Sequence, residues 1–309
     1  MPKFQRWLPK AQRNCLPKNK WVQTPFILLY ALLIVIPIYA AGAFMFEMPP
    51  YEFLLTEKIG DHILLITLNR PEVLNAMNME MTKEMHDLLT RLHYDPDWVR
   101  CVVLTGAGRA FSAGGDLKVR NTQTVRDWTI QHEIGERSIE LRMESPVPWI
   151  AAVNGICYAG GLEAALACDF IYASRDAKFA LTECKIGIMP GNLGPQNLPR
   201  AVGERRAKEL ILSARTFNAE EAYSWGMVNE LSAPGEVVQD TIAAAQRIGD
   251  CAPLSVRAAK KAIHFGMQTN LHAAFRYDLE CYYPLLVTED RKEGIAAFNE
   301  KRKANFKGR

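Results

Sequence analysis

Two glutamates and the glycines before them are the groups of this sequence best suited to acid–base chemistry beside a stabilised oxyanion. Glu163 follows the pair Gly160 and Gly161, Glu183 lies further along the chain, and Gly115 belongs to an earlier glycine-rich segment. Backbone N–H groups of two such loops can donate to a developing oxyanion. Two carboxylates can hold one water molecule, the first accepting its proton and the second donating a proton to carbon.

The glycine-rich segment 103–118 fits none of the common phosphate or nucleophile motifs. Phe111 stands where a dinucleotide fingerprint has its third glycine, and the segment lacks the Gly-Lys-Ser/Thr of a P-loop. Ala110 replaces the first glycine of a nucleophile elbow around Ser112, which argues against a serine nucleophile. Taken alone, the segment is also typical of a tight turn in which Asp116 caps a helix.

Each glutamate also has an explanation that involves no chemistry. Glu163 lies in the first turn of a predicted helix, where a carboxylate complements the helix dipole. Glu183 lies between an apolar stretch and Gly187, as a solvated loop carboxylate would. Only the order and spacing of the three segments together favour catalysis over these explanations.

The elements that must position these groups alternate between strands and helices. Short apolar segments are typical of buried strands, and longer segments with helical periodicity are typical of helices. The alternation runs to about residue 235 and predicts an α/β fold, after which the pattern becomes helical. The predicted strands are 51–56, 62–69, 101–105, 149–153 and 170–173, and the predicted helices include 77–93 and 162–168.

Two helix starts have recognisable caps. Asn218 and Glu221 have the spacing of a capping box. Thr288 is placed to cap a last helix that has Glu289 in its first turn and the basic residues 301–303 at its end, an order that suits the helix dipole.

Composition and charge exclude several classes of protein. The 309 residues carry a net charge of +3, and the first twenty residues contain six basic residues and no acidic one. Subtracting these six charges from +3 leaves −3 for the remainder, so the body of the chain is not a basic nucleic-acid binder. The seven cysteines form no C-x-x-C pair, which indicates neither a metal site nor a disulfide framework and favours a reducing, cytoplasmic compartment.

The N-terminal segment 1–48 differs from the rest of the chain. Residues 21–46 contain no charge, and the apolar run 25–46 has the length of a membrane-spanning helix of about 20 residues. Two hypotheses stay open. Either the run is a real anchor that contacts a membrane, with Pro37 bending it, or translation starts at Met45 or Met48 and the upstream residues are absent from the native protein.

The chain from about Tyr51 onward resembles the crotonase superfamily, and its enoyl-CoA hydratase/isomerase family in particular. The glycine loop reads AFSAGGDLK over 110–118, and the second loop has Gly160-Gly161-Leu-Glu163. The matching stretches follow the family's order and cover most of the body: 69–77, 110–118, 152–155, 160–163, 182–187, 219–229 and 298–306.

The resemblance implies a fold, an assembly and a reaction. The fold is an α/β spiral of ββα units over 49–235, followed by a helical trimerisation region over 236–309. The assembly is a homotrimer or a dimer of trimers. The reaction is the reversible addition of water to the double bond of a 2-enoyl-CoA thioester, with an acyl-CoA substrate and no nucleic-acid partner.

The resemblance also implies the roles of particular residues. Gly115 and Gly160 would supply the two oxyanion N–H groups, and Glu163 and Glu183 would be the catalytic carboxylates. Phe298 and Lys301 would contact CoA, either that of their own subunit or that of a neighbour. No metal or cofactor is implied beyond the CoA of the substrate, which would be held by Leu74, Ala76, Gly115, Asp116, Leu117, Lys118, Gly160, Phe298 and Lys301.

One departure from the family pattern bears on the acyl group. Family hydratases often read Pro-Gly-x-Gly-Gly-Thr-Gln where this chain has Pro190-Gly-Asn-Leu-Gly-Pro-Gln196. Pro195 is expected to remove a backbone donor and stiffen a loop beside the acyl pocket, which points to an acyl group other than a simple short enoyl chain.

Two kinds of rival function remain open at this stage. Other reactions of the same superfamily are isomerisation, dehydration of a special acyl-CoA, thioester hydrolysis and C–C cleavage. Isomerases can work with one carboxylate, so the presence of both Glu163 and Glu183 favours hydration. A membrane-tethered acyl-CoA-binding protein without catalysis is the rival that the N-terminal run suggests, and the intact glutamate pair argues against it.

Overall fold

The structure is a computed structural model that describes residues 48–96 and 98–309. The chain separates into two units, Met1–Glu47 and Met48–Arg309, and the second unit is the one described. The predicted anchor 25–46 and the candidate start Met45 therefore lie outside the described residues. None of the helices in the described part of the chain combines the length and the apolar character that a membrane span requires.

A six-stranded sheet forms one layer of the fold, in the strand order β1-β2-β3-β5-β7-β10. The first two strands pair antiparallel and the others pair parallel. The central strand β3 is buried along its whole length, as its uninterrupted apolar sequence requires. The strands are β1 (Leu54–Ile59), β2 (Ile63–Leu68), β3 (Cys101–Gly106), β5 (Trp149–Val153), β7 (Phe170–Ser174) and β10 (Glu230–Ser232).

The first strand begins later than predicted. The backbone N–H groups of Glu52 and Phe53 donate to the carboxylate of Glu84 rather than to a strand, at 2.9 and 2.8 Å. The ladder with β2 therefore starts at Leu54, which pairs with Leu68. The predicted strand 51–56 is wrong in its bounds because a helix side chain holds its first residues.

A second sheet of four short strands holds the loops that carry the glycines and Glu183. Its order is β4-β6-β8-β9, and β4, β6 and β8 are parallel to one another. Each of these three follows a strand of the large sheet along the chain, and helical segments follow each pair, which confirms the predicted spiral of ββα units. The strands are β4 (Ala110–Ser112), β6 (Ile156–Tyr158), β8 (Lys178–Ala180) and β9 (Phe217–Asn218).

Helices cover the sheets, and the last of them ends at Glu300. The helix Met79–Tyr94 begins at the cap Asn78 and buries Met81, Met85, Leu88, Leu89 and Leu92 at helical spacing. The helices are α1 (Met79–Tyr94), α2 (Leu117–Arg120), α3 (Val125–Met143), α4 (Gly160–Leu166), α5 (Gly194–Val202), α6 (Glu204–Ser213), α7 (Ala219–Ser224), α8 (Val237–Gly249), α9 (Pro253–Gly266), α10 (Leu271–Tyr282) and α11 (Glu289–Glu300).

The two predicted helix starts are present, but the last helix ends earlier than predicted. Asn218 and Glu221 form the capping box of α7, and Thr288 caps α11. Lys301 leaves the helix with a φ of 56°, so residues 301–303 lie beyond the last turn. Arg302 instead pairs with Glu293 at 2.6 Å. The prediction that basic residues lie in the last turn of this helix and complement its dipole is therefore wrong.

The first helix beyond residue 235 belongs to the core of the sheet layer. Helix α8 buries Val237, Ile242 and Ala245 in one cluster with Val103 and Ile150 of the large sheet. Only from α9 onward does the chain form a separate helical surface. The predicted boundary at residue 235 stays a prediction, and the packing of α8 favours a later one.

We expect a chain that begins at Met48 to fold, assemble and catalyse like the full chain. The buried core described above is built from residues of Met48–Arg309, and Tyr51 at its start is held by a 2.7 Å hydrogen bond to Asp87. Circular dichroism, sizing chromatography and turnover of the shortened chain, compared with the full chain in detergent, are the measurements. Loss of folding or activity on shortening would place residues before Met48 inside the folded unit.

Candidate active site

Gly115 is held so that its N–H faces away from the neighbouring loop. Met77 N donates to Gly114 O at 2.7 Å, and Asp116 N donates to Met77 O at 3.0 Å. Successive N–H groups of extended backbone point to opposite sides, so the Gly115 N–H between them points the other way, toward a cavity that Gly115 lines. Among the described residues it has no hydrogen-bond partner.

Gly160 presents a second free N–H beside the first. It is the first residue of α4, where the backbone N–H has no partner within the helix. The preceding Ala159 has a φ of 49°, a strained conformation for a residue with a side chain. A Cβ on Gly114 would lie 2.7 Å from Ala159 Cβ and 3.1 Å from Gly160 N, so only glycine allows the two loops to approach this closely.

Glu163 is a buried carboxylate in the first turn of α4. Its Oε1 accepts hydrogen bonds from Asn192 N at 2.8 Å and Gly194 N at 3.0 Å. Burial raises the pKa of Glu163, while the two backbone N–H groups and the charges of His132 and Arg120 oppose the rise. A Cβ on Gly194 would lie 2.7 Å from Oε1, so glycine is needed there for the contact.

Glu183 is also buried, but its surroundings stabilise the ionised carboxylate much less than those of Glu163 do. It follows β8 at the start of the 3-10 helix Glu183–Ile186, and its Oε2 is buried with no partner among the described residues. Burial, with a smaller contribution from the charge of Glu163, raises the pKa of Glu183 to about 7. The explanation of Glu183 as a solvated loop carboxylate is therefore wrong.

Burial raises the pKa of both carboxyl groups, but their unlike hydrogen bonds give them different tendencies to hold a proton. Two backbone donors on Glu163 favour its ionised form, which is the form that accepts a proton. The raised pKa of Glu183 keeps a large share of it protonated near neutral pH, so it can donate one. The arrangement supplies a base and an acid on one site.

One cavity brings together the four residues expected to do chemistry. It has a volume of about 610 Å³ and is lined by Gly115, Gly160, Glu163 and Glu183. A smaller recess of about 80 Å³ shares the two glycines and continues behind them toward Met77, Met81 and Met85. The larger cavity can hold a thioester and the recess can receive its acyl end.

The other residues expected to bind CoA are distributed unevenly around this cavity. Leu117 lines it, whereas Lys118 is exposed nearby without lining it. Asp116 caps α2 through Val119 N at 3.3 Å and pairs with Arg70 at 3.0 Å, so its visible contacts brace the loop.

Four expected CoA contacts lie away from the cavity lining. Leu74 O accepts from Ala113 N at 2.9 Å, and Ala76 is buried in the same supporting loop. Phe298 and Lys301 are exposed on the C-terminal helical surface. The structure does not bring these four into the cavity of this chain.

Sequence reasoning missed several polar residues that line the cavity. The guanidinium of Arg120 stacks 4.6 Å from the ring centre of Trp128 and lies so close to Gly115 that a Cβ there would be 2.4 Å from its Cζ. His132 and Asn192 line the same cavity. Trp128 and His132 are four residues apart on one face of α3, a spacing that could have identified them had α3 been predicted.

The expected effect of Pro195 on backbone donors is wrong. Pro195 is the second residue of α5, a position where the helix leaves the N–H unused. Gly194 and Asn192 supply the donors to Glu163 instead. The expectation that this loop borders the substrate site is supported by Gly191 and Asn192, which line the cavity.

The fold and the site define a class of α/β protein in which two backbone donors face a carboxylate pair. The sequence profile of the family described as enoyl-CoA hydratase/isomerase matches residues 58–309, and the chain belongs to this family.

Named relatives and a solved structure agree with that assignment. A crotonyl-CoA hydratase of Syntrophomonas wolfei is 38% identical over 259 residues, 83% of this chain and 98% of its own length. An (E)-benzylidenesuccinyl-CoA hydratase of Thauera aromatica is 38% identical over 256 residues, 82% of this chain and 99% of its own. The crystal structure of an enoyl-CoA hydratase from Bacillus anthracis superposes with a TM-score of 0.82 at 36% identity, covering 84% of this chain and 100% of that chain.

Replacing either Glu163 or Glu183 by Gln should lower kcat by about 10²–10⁴. The amide keeps the size of the side chain and removes the acid–base group, so circular dichroism should stay unchanged. Steady-state turnover on the best substrate is the measurement. If a variant kept more than about a third of wild-type turnover, the replaced glutamate would not be the catalytic acid or base.

Ser112→Ala is the control for a nucleophilic mechanism. Ser112 is buried, donates to Asn75 O at 2.8 Å and accepts from Gly114 N at 3.1 Å, so it braces the glycine loop. Its loss should lower stability by about 1–3 kcal/mol while catalysis persists, whereas proline at Gly115 or Gly160 should abolish catalysis. A covalent acyl adduct on Ser112, seen by mass spectrometry, would support Ser112 as a catalytic nucleophile.

The hydration rate should fall as the pH rises through the pKa of Glu183. The raised pKa, about 7, means that Glu183 holds the donated proton below that pH and loses it above. At low pH the rate should fall again as Glu163 becomes protonated, giving a bell-shaped profile of kcat/KM. A hydration rate that stays flat or rises from about pH 6 to about pH 9 would contradict the assignment of Glu183 as the acid.

Proposed function

We propose that this protein catalyses the reversible addition of water to a 2-enoyl-CoA thioester. The observation that carries the proposal is the meeting of two free backbone N–H groups, Gly115 and Gly160, with two unlike carboxyl groups, Glu163 and Glu183, in one cavity. Family membership points the same way.

The proposed reaction begins with the thioester oxygen between the two N–H groups. Glu163 accepts a proton from water as the water oxygen bonds to C3 of the acyl chain. The electrons of the C2–C3 double bond move toward the carbonyl and form an enolate, whose oxygen the N–H groups stabilise. Glu183 donates a proton to C2 as the carbonyl re-forms, and exchange with solvent resets the two carboxyl groups.

The oxyanion donors and the acid–base groups each have an effect on the rate that suits this reaction. One donor to a developing oxyanion lowers the barrier by about 3 kcal/mol. Each acid–base group contributes a factor of about 10²–10⁴ in rate. We propose that no further cofactor takes part, since these groups already supply an acid, a base and a site for the enolate oxygen.

The comparisons leave the acyl group open. Relatives of equal identity carry the names crotonyl-CoA hydratase and (E)-benzylidenesuccinyl-CoA hydratase. Overall similarity therefore does not choose between a short alkyl group and a larger, substituted one. The residues of the recess behind Gly115 and Gly160 must make that choice.

We propose a homotrimer or a dimer of trimers as the working assembly. Large apolar side chains, Leu271, Phe275 and Val287 among them, are exposed on the C-terminal helical surface that begins with α9. An apolar surface of this kind favours burial against another subunit. Exposed Phe298 and Lys301 lie in the same region, so they could contact the CoA of a neighbour, as the resemblance implies.

The decisive assay is the turnover of crotonyl-CoA, followed by the loss of absorbance from its conjugated double bond. Mass spectrometry of the product should show the gain of one water molecule, and a thiol reagent should detect no free CoA. Release of thiol would indicate a thioester hydrolase. A shift of the double bond in a 3-enoyl-CoA without water uptake would indicate an isomerase, and binding without turnover of any enoyl-CoA would support a non-catalytic protein.

A further inference from the structure

The recess behind the two glycines contains two arginines and no acidic residue among the described residues that line it. Arg120 lies where the recess meets the larger cavity, since it lines both. Arg142 lines the recess from α3. A recess that received only a saturated alkyl chain would need no cation, so Arg142, which lines the recess but not the larger cavity, requires an explanation.

Arg142 is a buried cation whose hydrogen bonds are incompletely satisfied. Only 3% of the residue is exposed. One terminal nitrogen donates to Ala164 O at 2.9 Å, and the guanidinium lies 5.2 Å from the ring centre of Trp149. Its Nε is buried and has no partner, and no carboxylate pairs with it in the described part of the chain. Such an uncompensated charge is unfavourable in an apolar interior.

Arg120 differs from Arg142, because the charges of Glu183, Glu163 and Asp116 lie close enough to oppose the effect of burial on the pKa of its guanidinium. Its guanidinium stacks on Trp128, and within residues 48–96 and 98–309 its side chain makes no ion pair or hydrogen bond. The stacking orients the planar group beside Gly115 and leaves its N–H donors available. A planar guanidinium of this kind is suited to a carboxylate, which it can bind through two parallel hydrogen bonds.

We propose that the recess selects an acyl group that ends in a carboxylate, so that the substrate is a 2-enoyl-CoA with a second, free acid group. This proposal rests on the proposed hydration reaction. The carboxylate compensates the charge of Arg142 and replaces the acidic partner that Arg142 lacks among the described residues. A neutral chain of the same length leaves Arg142 buried without an acidic partner. Polar groups left unpaired in this way are the basis of strong discrimination between substrates.

The test compares two thioesters of equal length, 4-carboxybut-2-enoyl-CoA and hex-2-enoyl-CoA. The wild-type protein should hydrate the acid with a kcat/KM at least about 10²-fold higher than the neutral chain. Arg142→Gln should reduce this preference by about tenfold or more, through KM for the acid, because it removes the cation that pairs with the acid. The matched control is Arg126→Gln, which removes an exposed charge from the same helix as Arg142, lines neither cavity, and should leave the ratio unchanged.

Binding of unreactive analogues separates this proposal from the proposed reaction. Isothermal titration with the saturated thioesters 4-carboxybutanoyl-CoA and hexanoyl-CoA measures recognition without chemistry, so it is informative even if no hydration occurs. Tighter binding of the acid that weakens in Arg142→Gln and in Arg142→Lys would support the recess as a carboxylate site. A wild-type preference for the neutral chain, or a ratio that stays within about threefold of the wild-type ratio in Arg142→Gln, would overturn it.

Discussion

The parallel alignment of three short strands is the constraint on which the site depends. Strands β4, β6 and β8 lie side by side in one sheet and run in the same direction. The segments after them carry Gly115, Gly160 and Glu183 in turn. Because the carboxyl ends of parallel strands meet at one edge of a sheet, residues far apart in sequence converge there without any direct interaction between them.

The second requirement is that two carboxyl groups of the same kind behave differently. Glu163 keeps two backbone donors, which depend on Gly194 having no side chain. Glu183 has no comparable support, and burial raises its pKa to about 7. Desolvation of Glu183 is unfavourable for the folded chain at neutral pH, and such local instability is common where a group must hold a proton for catalysis.

The sequence predicted those parts of the site that depend on local order. Glycines that open loops and glutamates that follow them can be identified from type and spacing, and the cap at Thr288 is a local pattern of the same kind. The family resemblance supplied the spiral and the pairing of these segments. The start of β1 was misplaced because Glu84, distant in sequence, holds residues 52 and 53.

The acyl recess could not be predicted in the same way. Arg120 and Arg142 are separated by the length of α3, and nothing in their local sequence shows that they line one recess. The interpretation of Arg142 depends on its burial and on the absence of an acidic partner for it among the described residues, both of which are properties of packing. The effect assigned to Pro195 failed for a related reason, since its position in the first turn of α5 decides what its missing N–H means.

The infrared carbonyl band of a bound thioester tests most directly whether Gly115 and Gly160 form the oxyanion site. A 2-enoyl-CoA labelled with carbon-13 at the carbonyl can be bound to the unreactive Glu163→Gln, Glu183→Gln double variant of the full chain and compared with free thioester. Two N–H donors polarise the carbonyl, so the band should move to lower wavenumber on binding. If the band of the bound thioester stays at its solution position, the thioester oxygen lies elsewhere, and the account of the site is wrong.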